Sequence, residues 1–416
     1  MTLLLLQMTT VLLTALVFGW IARKLGQARV IGEIIGGIFL GPSVFGRIAP
    51  HASASLFPQS SLGPFDVLST VGLILFLFLI GSQLEYEHLR RHRTTATLTS
   101  AMSIVLPFLL AVAVAPSLRL RFAPSGVGSL PFALFLGVSM SVTAFPVLAR
   151  ILEERQMQST SLGTTALMCA AVDDVSAWIL LAIALTLIPH SGQSMGLPYR
   201  LLWLGIYLTV MVGGVRLLGK WFVRRQKTIA LSYEVMGIVV AAILGSAAAT
   251  EAIGVHPLFG AFLGGVCFPR IQRWQNALRI RFEMVVSVLL LPFFFALTGM
   301  RTRLDLLRST NMWFWTAVVL VVAVAGKMGG AVLAARWTGQ TWKDAWALGA
   351  LLNTRGLVEL IVLNVAYNAH VFSPALFTML VVMALITTMI TTPILDLLGV
   401  RGSADQRRDP AVIEAA

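Results

Sequence analysis

Apolar residues along this chain are grouped into long runs that short polar stretches separate. A helix needs about 20 mostly apolar residues to cross a bilayer, and thirteen runs come near this length. The pattern predicts an all-α polytopic membrane protein with about thirteen transmembrane helices. In chain order, the predicted segments cover residues 3–22, 30–47, 67–84, 95–116, 130–149, 161–188, 200–218, 229–250, 254–269, 284–300, 311–334, 344–368 and 374–397.

The composition supports this class of protein. Hydrophobic residues make up 57% of the 416 residues and charged residues 12%, about half the charged share of a soluble domain. The mean hydropathy is +0.85, which leaves little room for a separate soluble domain. Residues 1–22 carry no charge and lack the basic region of a secretory signal peptide, so we expect a retained first helix.

Basic residues in the loops predict the orientation of the chain. With the N-terminus outside, the cytoplasmic loops hold 21 Lys and Arg residues and the outer loops hold 7. Cytoplasmic loops carry the basic excess in membrane proteins, so we expect an outer N-terminus and a cytoplasmic C-terminus in the inner (cytoplasmic) membrane. The net charge of +13 follows from these loops and does not indicate nucleic-acid binding.

The two halves of the chain share features that indicate an internal repeat. The pattern G-x-F-L-G occurs at residues 37–41 in segment two and at residues 260–264 in segment nine. Segments five and twelve are both interrupted by residues that disfavour a helix. Both pairs lie seven segments apart, and an odd offset places the partners in opposite orientations, as in transporters built from inverted repeats.

The repeat predicts the division of the chain. We expect one transmembrane domain over residues 1–400 and a short cytoplasmic tail at 401–416. Within the domain, two inverted six-helix repeats flank a linker helix. The boundaries are residues 1–190 for the first repeat, 199–219 for the linker helix and 229–398 for the second repeat.

The interruptions predict a pair of broken helices. Pro146 lacks an N–H and restricts the residue before it, and Gly356 is a poor helix former. Backbone groups freed at membrane depth are tolerated only inside protein or beside a water-filled cavity. This favours two broken helices that cross at an ion site near the midplane. The residues assigned to the breaks are Ala144, Phe145, Pro146, Asn353, Thr354 and Gly356.

Two adjacent carboxylates, Asp173 and Asp174, lie in the middle of segment six. Each costs about 2.5–3.5 kcal/mol at bilayer depth on insertion scales, and the two repel each other, so we expect one to exchange its proton. We assign Asp174 as the ligand of both cation and proton, and Asp173 as the neighbour that either tunes the pKa of Asp174 or pairs with a base. The hydroxyls of Ser141 and Thr143 are hard oxygen donors suited to Na⁺ or K⁺, and no other metal is indicated.

Three further charged residues are candidates for balancing this charge. Arg355 and Glu359 are four residues apart on one helix face. They either pair with each other, or Arg355 balances the carboxylates and carbonyl ends at the crossing. Lys327 in segment eleven either extends to the cytoplasmic surface or serves as counter-ion to a helix end.

These residues resemble the monovalent cation:proton antiporter-2 family, in the branch of the plant cation/H⁺ exchangers and their bacterial relatives. The resemblance is carried by residues 31–37 with Gly41-Pro42-Ser43, by residues 141–150, by the Asp pair and by residues 353–360. It implies a sodium/proton antiporter-like fold with a core and a dimerisation domain, elevator-type alternating access, a homodimer in the lipid bilayer and a role in pH homeostasis. Monovalent cations and protons would be its substrates, without enzymatic activity or a cofactor.

The resemblance leaves ion choice and stoichiometry open. Related sodium exchangers carry a lysine in segment ten that pairs with the first aspartate. This chain has no Lys or Arg between Met284 and Met300, and Ser287 is assigned to that position. The number of protons per cation therefore stays open, and the plant-like branch favours K⁺, alone or alongside Na⁺.

Other classes of protein fit less well. An intramembrane aspartyl protease needs two carboxylates from different helices facing one water, whereas these two are adjacent. A channel needs repeated rings of ligands. A proton-coupled organic solute transporter on the same inverted-repeat plan remains the alternative.

Overall fold

The structure is a computed structural model that describes residues 2–58, 61, 63–83, 93–157, 160–186, 197–215, 233–254, 257–269 and 271–400. All regular secondary structure within these ranges is helical. The predicted tail at 401–416 and the end of the predicted linker at 216–219 lie outside the described residues.

The described residues form short and long α-helices. In chain order they are α1 (Thr2–Lys24), α2 (Arg29–Leu40), α3 (Phe45–Ile48), α4 (Pro50–Leu56), α5 (Gly63–Gln83), α6 (Arg93–Phe122), α7 (Ser129–Ser141), α8 (Phe145–Glu154), α9 (Ser161–Thr186), α10 (Leu197–Thr209), α11 (Tyr233–Ile253), α12 (Pro257–Cys267), α13 (Gln272–Val285), α14 (Leu291–Arg301), α15 (Thr310–Trp337), α16 (Trp342–Leu352), α17 (Leu357–Asn368) and α18 (Pro374–Leu397). Short π-helices at Val210–Val215 and Val286–Leu290 continue α10 and α13, and a 3₁₀ turn spans Leu304–Leu306.

Every predicted apolar segment contains at least one of these helices. Within the described ranges, 8 helical stretches are long and apolar enough to cross a membrane, or up to 9 if a bent pair, α16 with α17, counts as one. The prediction of an all-α polytopic membrane protein is therefore confirmed. The number thirteen stays a prediction, because several segments hold helices of 10–17 residues.

The first of two compact units consists of Met1–Leu12, Ala54–Glu85 and Ala182–Leu297. Its described part is built around α5, which packs against α12, with α11 on another side of α12. Small residues allow the close approach: a side chain at Gly81 would meet the carbonyl of Phe262, and one at Gly265 the carbonyl of Phe78.

The second unit consists of Leu13–Ser53, Tyr86–Leu181 and Thr298–Ala416. Helix α15 packs along α6 and also contacts α7, α16 and α18. A hydrophobic core joins side chains of α8, α9, α15 and α16. Both interrupted helices belong to this unit, so its packing positions the candidate site.

The compact units do not follow the predicted repeats. Each unit draws on residues before and after the predicted linker at 199–219. Helices group by the faces that pack together rather than by their order in the chain. The two inverted repeats therefore stay a prediction from the sequence.

Candidate functional site

The first helix break is shorter than predicted. Helix α7 ends at Ser141 and α8 begins at Phe145, so only Val142, Thr143 and Ala144 lie outside a helix. Phe145 and Pro146 belong to the first turn of α8, which corrects their assignment to the break. Proline is tolerated there because an N–H in the first turn has no partner within the helix.

The second break separates α16 from α17, and the two helices are bent by 43°. It contains Asn353, Thr354, Arg355 and Gly356, with Asn353 as the C-cap of α16 and Gly356 as the N-cap of α17. A Cβ at position 356 would lie 2.7 Å from Val147 Cγ2. Glycine at this position therefore lets the second break approach the first turn of α8.

The two breaks contact each other directly. The backbone N–H of Ala144 donates to the carbonyl of Thr354 at 3.0 Å. The hydroxyl of Thr143 lies 3.0 Å from the carbonyl of Leu352. The predicted pairing of interrupted segments five and twelve is thus present in the second unit, where each break supplies partners for the other's free backbone groups.

Asp173 is held by several donors around this crossing. Its carboxylate lies 2.8 Å from Lys327 Nζ, and both side chains are 0% exposed. The hydroxyls of Thr143 and Ser100 donate to it at 2.6 and 2.7 Å, and Ser103 lies at 3.2 Å. A buried charge is tolerated only when it is paired and hydrogen-bonded, and Asp173 meets both conditions.

Lys327 also donates to the backbone carbonyl of Ser141 at the end of α7. Of the two interpretations left open for this lysine, the structure selects the counter-ion to a helix end. The negative end of the α7 dipole and the Asp173 carboxylate together stabilise the buried ammonium group.

The cationic partner of Asp173 comes from a different segment than predicted. The resemblance implies a lysine in segment ten as the partner of the first aspartate, and Ser287 is assigned to that position in this chain. The structure shows that Lys327 of segment eleven pairs with Asp173 instead. Ser287 lies in the π-helix Val286–Leu290 of the first unit.

Arg355 contacts both Glu359 and the carbonyl end of α7. Its guanidinium donates to the carbonyls of Ser139 and Met140 at 2.9 and 2.8 Å, and it lies 3.4 Å from Glu359 Oε1. Arg355 and Lys327 therefore occupy the last carbonyls of α7. These carbonyls therefore accept hydrogen bonds from two positively charged side chains.

Asp174 differs from its neighbour in its surroundings. It is 3% exposed, and its Oδ1 atom accepts no hydrogen bond from the described residues. The backbone N–H of Phe145, at the start of α8, donates to its carboxylate. A helix N-terminus favours negative charge, so α8 supports the ionised form without occupying both oxygens.

The hydroxyl side chains near Asp173 and Asp174 differ in the groups that they contact. Ser141 Oγ donates to the carbonyl of Gly137 at 2.6 Å, and its oxygen keeps lone pairs for another ligand. Ser100 and Ser103, which bind Asp173, were missed in the sequence. Their spacing of three, which places both on one helix face within a predicted spanning segment, was the available signal.

The arrangement defines a class of protein. Three carboxylates, Asp173, Asp174 and Glu359, are buried with two bases, Lys327 and Arg355, around two facing helix breaks. Ionisable groups inside spanning segments mark ion and proton pathways, and facing broken helices are the site architecture of secondary transporters. The fold and site therefore define an ion-coupled secondary transporter.

Comparison with known proteins identifies the family. The profile of the transmembrane sodium/hydrogen exchanger family matches residues 12–399. The chain belongs to this family, which consists of transporters rather than enzymes. The predicted resemblance to a family of monovalent cation:proton antiporters is confirmed.

Individual relatives agree with this assignment. The Na(+)/H(+) antiporter NhaS4 of Synechocystis sp. is 41% identical over 383 residues, which cover 91% of this chain and 93% of the relative. Cation/H(+) antiporter 17 of Arabidopsis thaliana is 39% identical over 94% of this chain, but the chain spans only 48% of that relative. The sodium proton antiporter MjNhaP1 from Methanocaldococcus jannaschii shares the fold, with a TM-score of 0.64 at 16% identity and 95% coverage of both chains.

Proposed function

We propose that this protein is a secondary active transporter that exchanges monovalent cations, K⁺ and/or Na⁺, for protons across the membrane. The observation that carries the proposal is Asp174, a buried carboxylate at the crossing with one oxygen free of hydrogen bonds from the described residues. Its neighbour Asp173 is already paired with Lys327. Asp174 is therefore the carboxylate available to a mobile ligand.

Charge balance explains why one ligand would displace the other. With all five groups ionised, three carboxylates and two bases leave one negative charge at the crossing. Either one proton or one monovalent cation neutralises it. Because an uncompensated charge is costly in a buried site, the occupied states are favoured, and the two ligands compete for Asp174.

Hydroxyl oxygens would complete the cation site beside Asp174. Thr143 donates its proton to Asp173 and Ser141 donates its proton to Gly137, so both oxygens retain lone pairs. Hard oxygen ligands suit alkali cations. The relatives support the substrate class, since their names describe a Na⁺/H⁺ antiporter and a cation/H⁺ antiporter.

We further propose that the chain lies in the cytoplasmic membrane with its N-terminus outside, and works as a homodimer by elevator-type movement. The basic residues of the loops support the orientation. The division of the described chain into two compact units supports a mechanism in which the unit with the crossing carries the ion.

The test is exchange by the purified protein in proteoliposomes that contain a pH dye. We expect Na⁺ or K⁺ to dissipate an imposed pH gradient with the wild type, and Asp174→Asn to abolish this activity by removing the titratable ligand. Asp396→Asn is the matched control, since this carboxylate is exposed and paired with Arg155, and it should exchange like the wild type.

Two results would contradict the proposal. One is an Asp174→Asn variant as active as the wild type. The other is an imposed pH gradient, in vesicles with the wild-type protein, that none of Na⁺, K⁺, Rb⁺ and Li⁺ dissipates. In the second case, the same vesicles would be used to test proton-coupled uptake of organic solutes.

A further inference from the structure

The side-chain amide of Asn353 is buried and has no hydrogen-bond partner among the described residues. It is 1% exposed, and neither its Nδ2 nor its Oδ1 atom has a partner in the described part of the chain. Asn364, in the same unit, shows the usual situation: it bonds to Thr298, Leu360 and Arg301. Buried polar groups are nearly always paired, so the unpaired amide of Asn353 requires an explanation.

Asn353 lies at the contact between the two breaks. On either side of it, the carbonyl of Thr354 accepts from the N–H of Ala144 at 3.0 Å, and the carbonyl of Leu352 lies 3.0 Å from Thr143 Oγ1. Thr143 in turn binds Asp173, the neighbour of Asp174. Asn353 and Asp174, whose Oδ1 atoms lack partners among the described residues, are thus each adjacent in sequence to residues of this network.

Most other oxygens at the crossing are already occupied. The last carbonyls of α7 accept from Arg355 and Lys327, and Asp173 is paired with Lys327. The carboxylate of Glu359 lacks hydrogen bonds from the described residues, but it lies 3.4 Å from Arg355. The positive charge of the Arg355 guanidinium would repel a transported cation from Glu359.

We propose that the amide oxygen of Asn353 is a ligand of the transported cation and helps to determine which alkali cation is selected. The inference rests on the proposed exchange at Asp174. An amide oxygen is a hard, neutral ligand for such ions, and the number and field strength of ligands influence K⁺/Na⁺ choice. Asn353 adds an oxygen from the second break to a site otherwise built from α9 and the first break.

The experiment measures the half-saturating concentrations of Na⁺ and K⁺ for exchange in proteoliposomes at one pH. Asn353→Leu keeps the approximate volume and removes both polar atoms. We expect it to raise the half-saturating concentrations about tenfold, the effect of losing one good ligand. Asn353→Asp replaces a neutral oxygen with a charged one, and we expect it to change the ratio of the Na⁺ and K⁺ values.

A second measurement does not depend on transport. A bound cation stabilises the folded protein against heat in detergent, so Na⁺ or K⁺ should raise the melting temperature of the wild type. The same stabilisation should need about tenfold more cation in Asn353→Leu. A purely structural role would change the melting temperature without cation but not this concentration dependence.

Asn364→Leu is the matched control. It removes an amide that makes three hydrogen bonds, so it should lower the melting temperature and leave the half-saturating concentrations unchanged. The inference is overturned if the wild type exchanges cations and Asn353→Leu keeps the same half-saturating values and the same Na⁺ to K⁺ ratio. Absence of exchange by the wild type would instead overturn the proposed function.

Discussion

Lys327 and Asp173 form an ion pair that is inaccessible to water, with 0% exposure of both side chains. The hydroxyls of Ser100 and Thr143 donate to the carboxylate, and the hydroxyl of Ser103 lies 3.2 Å from it. Removing one member of a buried pair is strongly destabilising, because it leaves the other charge uncompensated. The pair therefore organises the crossing and leaves Asp174 as the exchanging group.

This pair makes a prediction about stability. We expect Lys327→Met to lower the free energy of unfolding by about 3–5 kcal/mol, measured as thermal unfolding in detergent. The double variant Asp173→Asn with Lys327→Met removes both charges and should recover much of this loss. A single variant as stable as the wild type would contradict the ion pair, as would a double variant whose loss equals the sum of the two single losses.

At the residue scale, the sequence identified the acidic pair but not its partners. Two carboxylates inside an apolar run stand out because charge is rare at membrane depth. Lys327 was recognised as unusual, yet its partner lies 154 positions away in the chain. Nothing in the local sequence of either residue specifies that pairing, since it depends on how α9 and α15 pack.

The contact between α6 and α15 depends on small residues at fixed positions. A side chain at Gly330 would meet the carbonyl of Met102, and one at Gly326 would lie 2.6 Å from Pro107 Cα. Without a hydrophobic difference between lipid and side chains, helices in membranes associate through such close packing. Helix α15 carries Lys327 between these two glycines, so the packing positions the buried ammonium group.

We predict that Gly330→Ala destabilises the protein by about 1–3 kcal/mol through overpacking. Gly329→Ala is its matched control, because a Cβ there meets nothing within 4 Å among the described residues. Thermal unfolding of the two purified variants checks the difference. Equal melting temperatures for Gly329→Ala and Gly330→Ala would show that α6 and α15 do not approach as closely as described.

At the element scale, the sequence located both interruptions but misplaced one boundary. The sequence predicts Pro146 within the first break, whereas the structure places it in the first turn of α8. Proline is compatible with the first turn of a helix as well as with a break, so the sequence alone does not separate the two. The helix ends at Ser141 and Phe145 show that Val142, Thr143 and Ala144 form the break.

For the whole molecule, orientation is the property that the sequence predicts and that remains to be measured. A reporter fused after residue 416 should behave as cytoplasmic: a green fluorescent protein should fluoresce, and an alkaline phosphatase should be inactive. The reason is the excess of basic residues in the loops assigned to the cytoplasm. An active phosphatase fusion would place the C-terminus outside the cytoplasm. Either the whole orientation would then be inverted, or the chain would cross the membrane an even number of times instead of thirteen.

The sequence by itself determined the class of this protein, the two helix breaks and the acidic pair. These are local properties: hydropathy over about 20 residues, helix-breaking residue types, and charges in apolar runs. Only the tertiary structure decided that Lys327 pairs with Asp173 and that Arg355 occupies carbonyls of α7, 216 positions earlier in the chain. It also decided that Asp174 and Asn353 each keep an oxygen without a partner in the part of the chain that the structure describes. The physical reason is that hydrogen-bond and charge pairing depends on which distant helices come into contact.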